Sequence, residues 1–144
     1  MRSSKAYNEH IYLSNLEDKI YSKWCVDHGI AYSLLKILDL LYGYQEGVEV
    51  SFISDKLVFY KQTVTGLLKQ LKESGYITWS KDKDDKRKKV VTLTQSGVEY
   101  AELVLTQLYE KEDKVFNSLT EEEKHVFNSI YKKIVTELEK ELGQ

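Results

Sequence analysis

The spacing of apolar residues divides this chain into helices, interrupted once where the period shortens from that of a helix to that of a strand. From residue 5 to about 24, Tyr7, Ile11, Tyr12, Leu16, Ile20, Tyr21 and Trp24 recur at helical spacing, and Asp27-His28-Gly29 breaks the pattern. Residues 30–42 carry Leu34, Leu35, Ile37, Leu38 and Leu41, apolar nearly all round, which predicts a buried helix. Residues 43–47 read as a turn, and Val48-Glu49-Val50 as a short strand. A short helix follows over 50–57, then a turn at Val58-Phe59-Tyr60, then a helix over 61–71. In this second helix Val64, Leu67, Leu68 and Leu71 form one stripe. Its opposite face presents Gln62, Gly66 and Lys69, flanked by Thr63, Thr65 and Gln70, with no carboxylate until Glu73. Amides, hydroxyls and an ammonium are the groups that hydrogen-bond base edges and phosphates. Two short helices joined by a tight turn, the second bearing such a face, read as a helix-turn-helix.

Ser74-Gly75 stops the second helix. Tyr76-Ile77-Thr78-Trp79-Ser80 then alternates, with Ile77 and Trp79 on one side. A charged tip, residues 81–87, leads to a returning strand over 88–93 with Val91 and Leu93 inward. This is a hairpin with a long basic loop, a wing. Thr94 is placed to cap a long helix from Gln95 to about Phe116. Thr120 and Glu123 form a capping-box signature for a last helix to about Leu142, with a stripe of Val126, Phe127, Ile130, Ile134, Val135 and Leu138. The fold class is mainly α with a small β-hairpin wing.

At these residues the chain resembles the MarR family of bacterial winged-helix transcription regulators. The likeness rests on Thr63-Val64-Thr65, Leu67, Leu68, Leu71 and Gly75-Tyr76-Ile77, and continues through Asp82, Asp85, Arg87, Val91, Leu93-Thr94 and Gly97. The family's wing usually reads Asp-Pro-x-Asp-x-Arg; here Lys83 stands for the Pro. Gly66 and Gln70 stand where the family often has Arg. The resemblance implies a homodimer held by its terminal helices, with a winged unit over 30–97 and dimerisation helices over 1–28 and 98–144 of a single domain.

Composition changes the picture in one respect. The net charge over 144 residues is only −2, but residues 51–97 hold ten Lys/Arg against five Asp/Glu, a net of +5, and the remainder carries −7. Alone, the basic stretch would read as a solvated lysine-rich loop; behind a helix-turn-helix it reads as a polyanion-binding surface. Charged residues make up 31% and Pro is absent, as suits long uninterrupted helices. A single Cys excludes an internal disulfide framework. No apolar run approaches the roughly 20 residues of a membrane span. No apolar core follows the basic Met1–Lys5, so the cytoplasm is expected. There is no Gly-rich phosphate loop and no assembled nucleophile–base pair, which argues against an enzyme. His10, His28 and His125 lie far apart with no metal-ligand spacing, and neither metal nor cofactor is expected.

The expected DNA-binding set is Lys61, Gln62, Thr63, Thr65 and Lys69 on the second helix, with Gly66 allowing close approach. Lys83, Lys86 and Lys88 are expected on phosphates, and Arg87 in the minor groove. Asp82 and Asp85 are expected to structure the wing, with Asp85 orienting Arg87 or capping its turn. Taken with the resemblance, this describes a ligand-responsive repressor acting as a homodimer on double-stranded DNA at a pseudo-palindromic operator. The rival from another class is a winged-helix protein–protein module, which would need an apolar outer face on helix 61–73; the face is polar.

Long apolar stripes at opposite chain ends favour burial against a second copy over folding back on their own monomer. Tyr12, Tyr21, Trp24 and Tyr32 read either as packing or as a pocket for an aromatic or amphipathic effector, which the resemblance favours. The resemblance also offers Cys25 as a redox sensor, but Asp27 opposes a thiolate there, and a small buried hydrophobe is the alternative.

Overall fold

The computed structural model describes residues 2–143. Its elements run α1 (Lys5–Asp27), α2 (Tyr32–Gly43), β1 (Val48–Glu49), α3 (Val50–Leu57), α4 (Lys61–Glu73), β2 (Ile77–Lys81), β3 (Lys89–Leu93), α5 (Gln95–Asn117) and α6 (Glu121–Leu142). Residues up to Val104 form one compact unit and those from Leu105 a second, with the division inside α5. No helix among the described residues is long and apolar enough to cross a membrane.

The first unit is built around α2. Leu35, Ile37, Leu38 and Leu41 are buried on it, as an apolar run with little polar interruption requires. Onto this helix pack α3, through Ile53, and α4, through Val64, Leu67, Leu68 and Leu71. Each such aliphatic side chain taken out of water stabilises the fold by about 1.5–3 kcal/mol before entropy is counted. The sheet is antiparallel in the order β1-β3-β2. Val48 pairs with Val91, so the short strand anticipated at 48–50 does join the wing, although Val50 already belongs to α3. Ile77 lies opposite Leu93 and Trp79 opposite Val91, which turns Ile77, Val91 and Leu93 into the core.

Two helix boundaries differ from the periodicity. The first helix continues past Trp24 to Asp27, because Lys23 and Asp27 form an i,i+4 ion pair at 2.7 Å and the His28 N–H donates to the Trp24 carbonyl. The second helix starts at Tyr32, not Ile30: the Ile30 N–H is drawn back to the Cys25 carbonyl at 3.0 Å in the connection. In addition, the C-terminal part of α1 is joined to the winged unit, with Cys25 buried and Tyr21 edge-on to Tyr32 at 5.4 Å.

The wing, the end of α4 and the start of α5 meet at one knot. Gly75 takes φ +77°, and Tyr76 donates its N–H to the Leu71 carbonyl. Thr94 donates its hydroxyl to the Gly75 carbonyl at 2.7 Å and accepts the Gly97 N–H at 3.0 Å, while its own N–H donates to the Tyr76 carbonyl. Thr94 is therefore both the cap of α5 and the tie to the turn after α4.

In the second unit, α6 opens with a complete capping box between Thr120 and Glu123. Its apolar stripe stays exposed: no residue of α6 is buried among those described, and Phe127 and Ile130 are 53% and 55% accessible.

Gly97 is the most sensitive position of the knot. A Cβ there would collide with the Tyr76 carbonyl oxygen and carbon, backbone atoms that cannot swing aside. Gly97→Ala should cost about 2–4 kcal/mol. A urea titration showing a loss under about 0.5 kcal/mol would refute this tight contact.

Candidate nucleic-acid interface

The face of α4 opposite its buried stripe is fully open. Lys61, Gln62, Thr63, Thr65, Gly66, Lys69 and Gln70 are all exposed. The turn that aims this helix is tight: Val58 ends α3 in the left-handed region at φ 55°, a conformation that costs a β-branched residue on the order of 1–3 kcal/mol. Tyr60, the N-cap of α4, makes no side-chain cap. The Thr65 hydroxyl donates to the Lys61 carbonyl at 2.9 Å, leaving its lone pairs and methyl group, but not its proton, for a partner. At Gly66 a Cβ would meet nothing within 4 Å, so nothing in the protein itself demands a glycine there.

The wing tip is organised by its two carboxylates. Asp82 accepts the N–H groups of Asp84 at 2.7 Å and Asp85 at 3.1 Å. These two hydrogen bonds hold its carboxyl below the usual range. Asp85 accepts from the Arg87 Nε at 3.2 Å and from its backbone N–H at 3.1 Å, and the Arg87 side chain is the main cause of its own lowered pKa. The Arg87 side chain is 92% exposed, so it is aimed but not covered. Lys83, Lys86 and Lys88 stand exposed around it.

Between the base of this wing and α4 lies a cleft of about 310 Å³. Lys61 and Thr65 come to it from α4, and Arg87, Lys88 and Lys89 from the wing. Sequence reasoning missed Trp79, Lys89 and Glu49 among its lining residues. Trp79 lines the wall, with the ammonium groups of Lys72 and Lys89 at 4.4 and 5.0 Å from its ring centroid. Lys89, which the sequence pattern places simply in a strand, lies at the cleft. Glu49, on β1, reaches Lys88 at 3.5 Å. Pairing across the sheet brings these together, and a local pattern carries no signal for it.

The aromatic set of α1 and α2 is brought together only in part. Tyr21 meets Tyr32, and Trp24 stacks on His28 at 3.8 Å. Tyr12 does not join them. It precedes Tyr21 by about two and a half helical turns, which puts it on the opposite face of α1, and it is 65% exposed. Tyr12 is therefore separated from the Tyr21–Tyr32 pair and shares no pocket with it. The buried Trp24 Nε1 has no hydrogen-bond partner among the described residues. Cys25 is 1% exposed and burial pushes its thiol up, away from the thiolate that oxidant sensing needs, which supports its reading as a small hydrophobe. Among the described residues, no three His, Cys, Asp or Glu side chains gather as a metal would require.

Comparison with known proteins follows the same segment. Residues 30–89 match the MarR family model. The HTH-type transcriptional regulator Hpr of Bacillus cytotoxicus is 28% identical over 100 residues, 69% of this chain and 54% of Hpr. The chain thus spans about half the length of the curated relatives it matches. NMB1585, a MarR family regulator from Neisseria meningitidis, superposes with a TM-score of 0.84 at 25% identity, over 97% of this chain and 98% of that one. S. aureus MepR in its DNA complex gives a TM-score of 0.74 at 24% identity, over 95% and 100% of the two chains, a likeness of fold.

Gly66 provides a test internal to this face. In a free, exposed helix interior Gly→Ala stabilises by about 0.5–1 kcal/mol. Gly66→Ala should therefore raise the thermal midpoint while weakening duplex binding, measured by fluorescence anisotropy. A more stable variant with unchanged affinity would show that no ligand approaches this point of α4.

Proposed function

We propose that this chain, with a winged-helix segment of the MarR family over residues 30–89, is a DNA-binding transcription regulator that acts as a homodimer on a pseudo-palindromic operator. The observation that carries the reading is the continuity of the α4 face with the cationic cleft beneath the wing. The outer face of α4 bears no carboxylate before Glu73, and Lys61, Arg87, Lys88 and Lys89 gather beside it. Such a surface matches a major groove flanked by phosphates. Gln62 and Thr65 are placed to meet base edges, and Lys61, Lys69, Lys83, Lys86 and Lys88 to meet the backbone. Arg87, aimed by Asp85, is suited to the adjacent minor groove, where a narrow groove attracts guanidinium groups. The match to Hpr and the fold shared with MepR support the same assignment.

The test separates positioning from reading. Arg87→Ala and Lys86→Ala should weaken binding to preferred and random duplexes alike and flatten the salt slope by about one unit per lost phosphate contact. Gln62→Ala should instead shift which sequences are preferred, at about 1–3 kcal/mol per lost base contact. Equal effects on every sequence would remove α4 as the reading element. Binding without salt dependence would favour a protein partner over DNA.

Assembly is the second part of the proposal. The exposed stripe of α6 and the exposed Leu13, Leu16 and Ile20 of α1 are apolar surfaces that a second copy would cover. Light scattering at micromolar concentration should give twice the 16.8 kDa chain mass. A monodisperse 16.8 kDa species would overturn the dimer.

The buried, unpartnered indole N–H of Trp24, whose ring stacks on His28, supports a further reading of this protein as a ligand-responsive repressor. A carboxylate-bearing aromatic or amphipathic effector would satisfy that donor while covering apolar surface.

A further inference from the structure

Glu49 stands out in the cleft because its charge opposes the function proposed for the surface. We infer that its carboxylate is an internal surrogate for a DNA phosphate, occupying the cationic cleft in the free protein and lowering affinity for DNA of any sequence. The inference rests on the DNA-binding reading above. Four cations line the cleft, Lys61, Arg87, Lys88 and Lys89, and Glu49 is the one carboxylate among its lining residues.

The backbone of Glu49 is fixed at the edge of the cleft. It sits in β1, paired with Val90 of β3, and is also the N-cap of α3. The short side chains of Ser, Thr, Asp and Asn ordinarily accept from the first N–H groups at that position, and Glu is longer. Glu49 makes no such cap. Its Oε1 lies 3.5 Å from the Lys88 Nζ, and its Oε2 accepts from the Ser51 hydroxyl at 3.4 Å. The side chains of Lys88 and Glu49 are 53% and 34% exposed, so the pair is partly solvated.

An ion pair of this exposure holds at most about fivefold in an equilibrium constant. A phosphate with its own hydrogen-bonding oxygens is therefore able to displace it. Until it does, Lys88 is partly neutralised and the carboxylate repels the incoming backbone. Removing the negative charge would undo both effects, and neither depends on base sequence.

The experiment uses the full chain and fluorescein-labelled duplexes, one of random sequence and one selected by the wild-type protein, titrated across a salt series. Glu49→Gln should bind both duplexes roughly fivefold tighter at about 0.1 M salt, with the slope of log affinity against log salt steeper by about one unit. In a Lys88→Met background the same substitution should gain no more than about twofold, since the two side chains are coupled. The thermal midpoint should stay level or fall, because the negative charge at the start of α3 is lost; tighter binding would then not reflect a firmer fold. Wild-type binding with Glu49→Gln unchanged on both duplexes would overturn the surrogate role alone. A loss confined to the selected duplex would also overturn it, and would make Glu49 a base reader of the kind that accepts from cytosine. No salt-dependent DNA binding by the wild-type protein would overturn this inference and the DNA-binding reading together.

Discussion

The geometry of the face proposed for DNA depends on the close approach of the start of α5 to the turn after α4. Thr94 ties the Gly75 carbonyl, the Tyr76 carbonyl and the Gly97 N–H into one cluster of hydrogen bonds. The cluster closes only because Gly97 has no side chain to strike Tyr76. Four segments are pinned there: the end of α4, the start of β2, the end of β3 and the start of α5. The wing therefore cannot slide along α4 without breaking several backbone hydrogen bonds, each costly to leave unmade. The parallel stacking of Tyr76 on Tyr100, at 4.5 Å, braces the same junction.

From that junction the cleft follows. With the strand bases fixed, Trp79 and Lys89 are held over against Lys61 and Thr65 of α4. The wing's acidic residues shape the tip as well as offset part of its charge. Asp82 accepts from two backbone N–H groups and Asp85 from Arg87, while both carboxylates also act on Lys88. The result is a tip whose shape is set by carboxylates while its lysines remain outward and exposed. A local net of +5 is thus compatible with a chain of −2: the compensating acidic residues lie outside this segment.

What was legible in the sequence is what repeats locally. The stripe Val64, Leu67, Leu68 and Leu71, the alternation that buries Ile77, Val91 and Leu93, and the Thr120–Glu123 capping box each lie within a few residues, and each appears where the pattern put it. Boundaries were less legible, because the extension of α1 to Asp27 depends on one ion pair and one backbone cap. Non-local chemistry was hidden. Glu49 lies in β1 and Lys88 in the loop just before β3, and nothing near either residue announces the other. Tyr12 shows the opposite error: closeness in sequence suggested one aromatic cluster, and helical phase separated it from Tyr21.

The inventory of α4 also bounds how this surface would read DNA. Gly66 contributes no side chain at the middle of the exposed face, and Thr65 has committed its proton to Lys61. That leaves the Gln62 and Gln70 amides, the Thr63 hydroxyl, the Thr65 oxygen and methyl, and the Lys61 and Lys69 ammonium groups. The two amides present both donor and acceptor for a bidentate contact, the kind suited to adenine. The Thr65 methyl suits a thymine methyl more than a guanine edge. A face so sparing in direct contacts, beside a wing with a fully exposed Arg87, places much of its discrimination in groove shape and deformability. If the surface binds DNA as proposed, these groups favour an A·T-rich site, with few positions at which one base change abolishes binding.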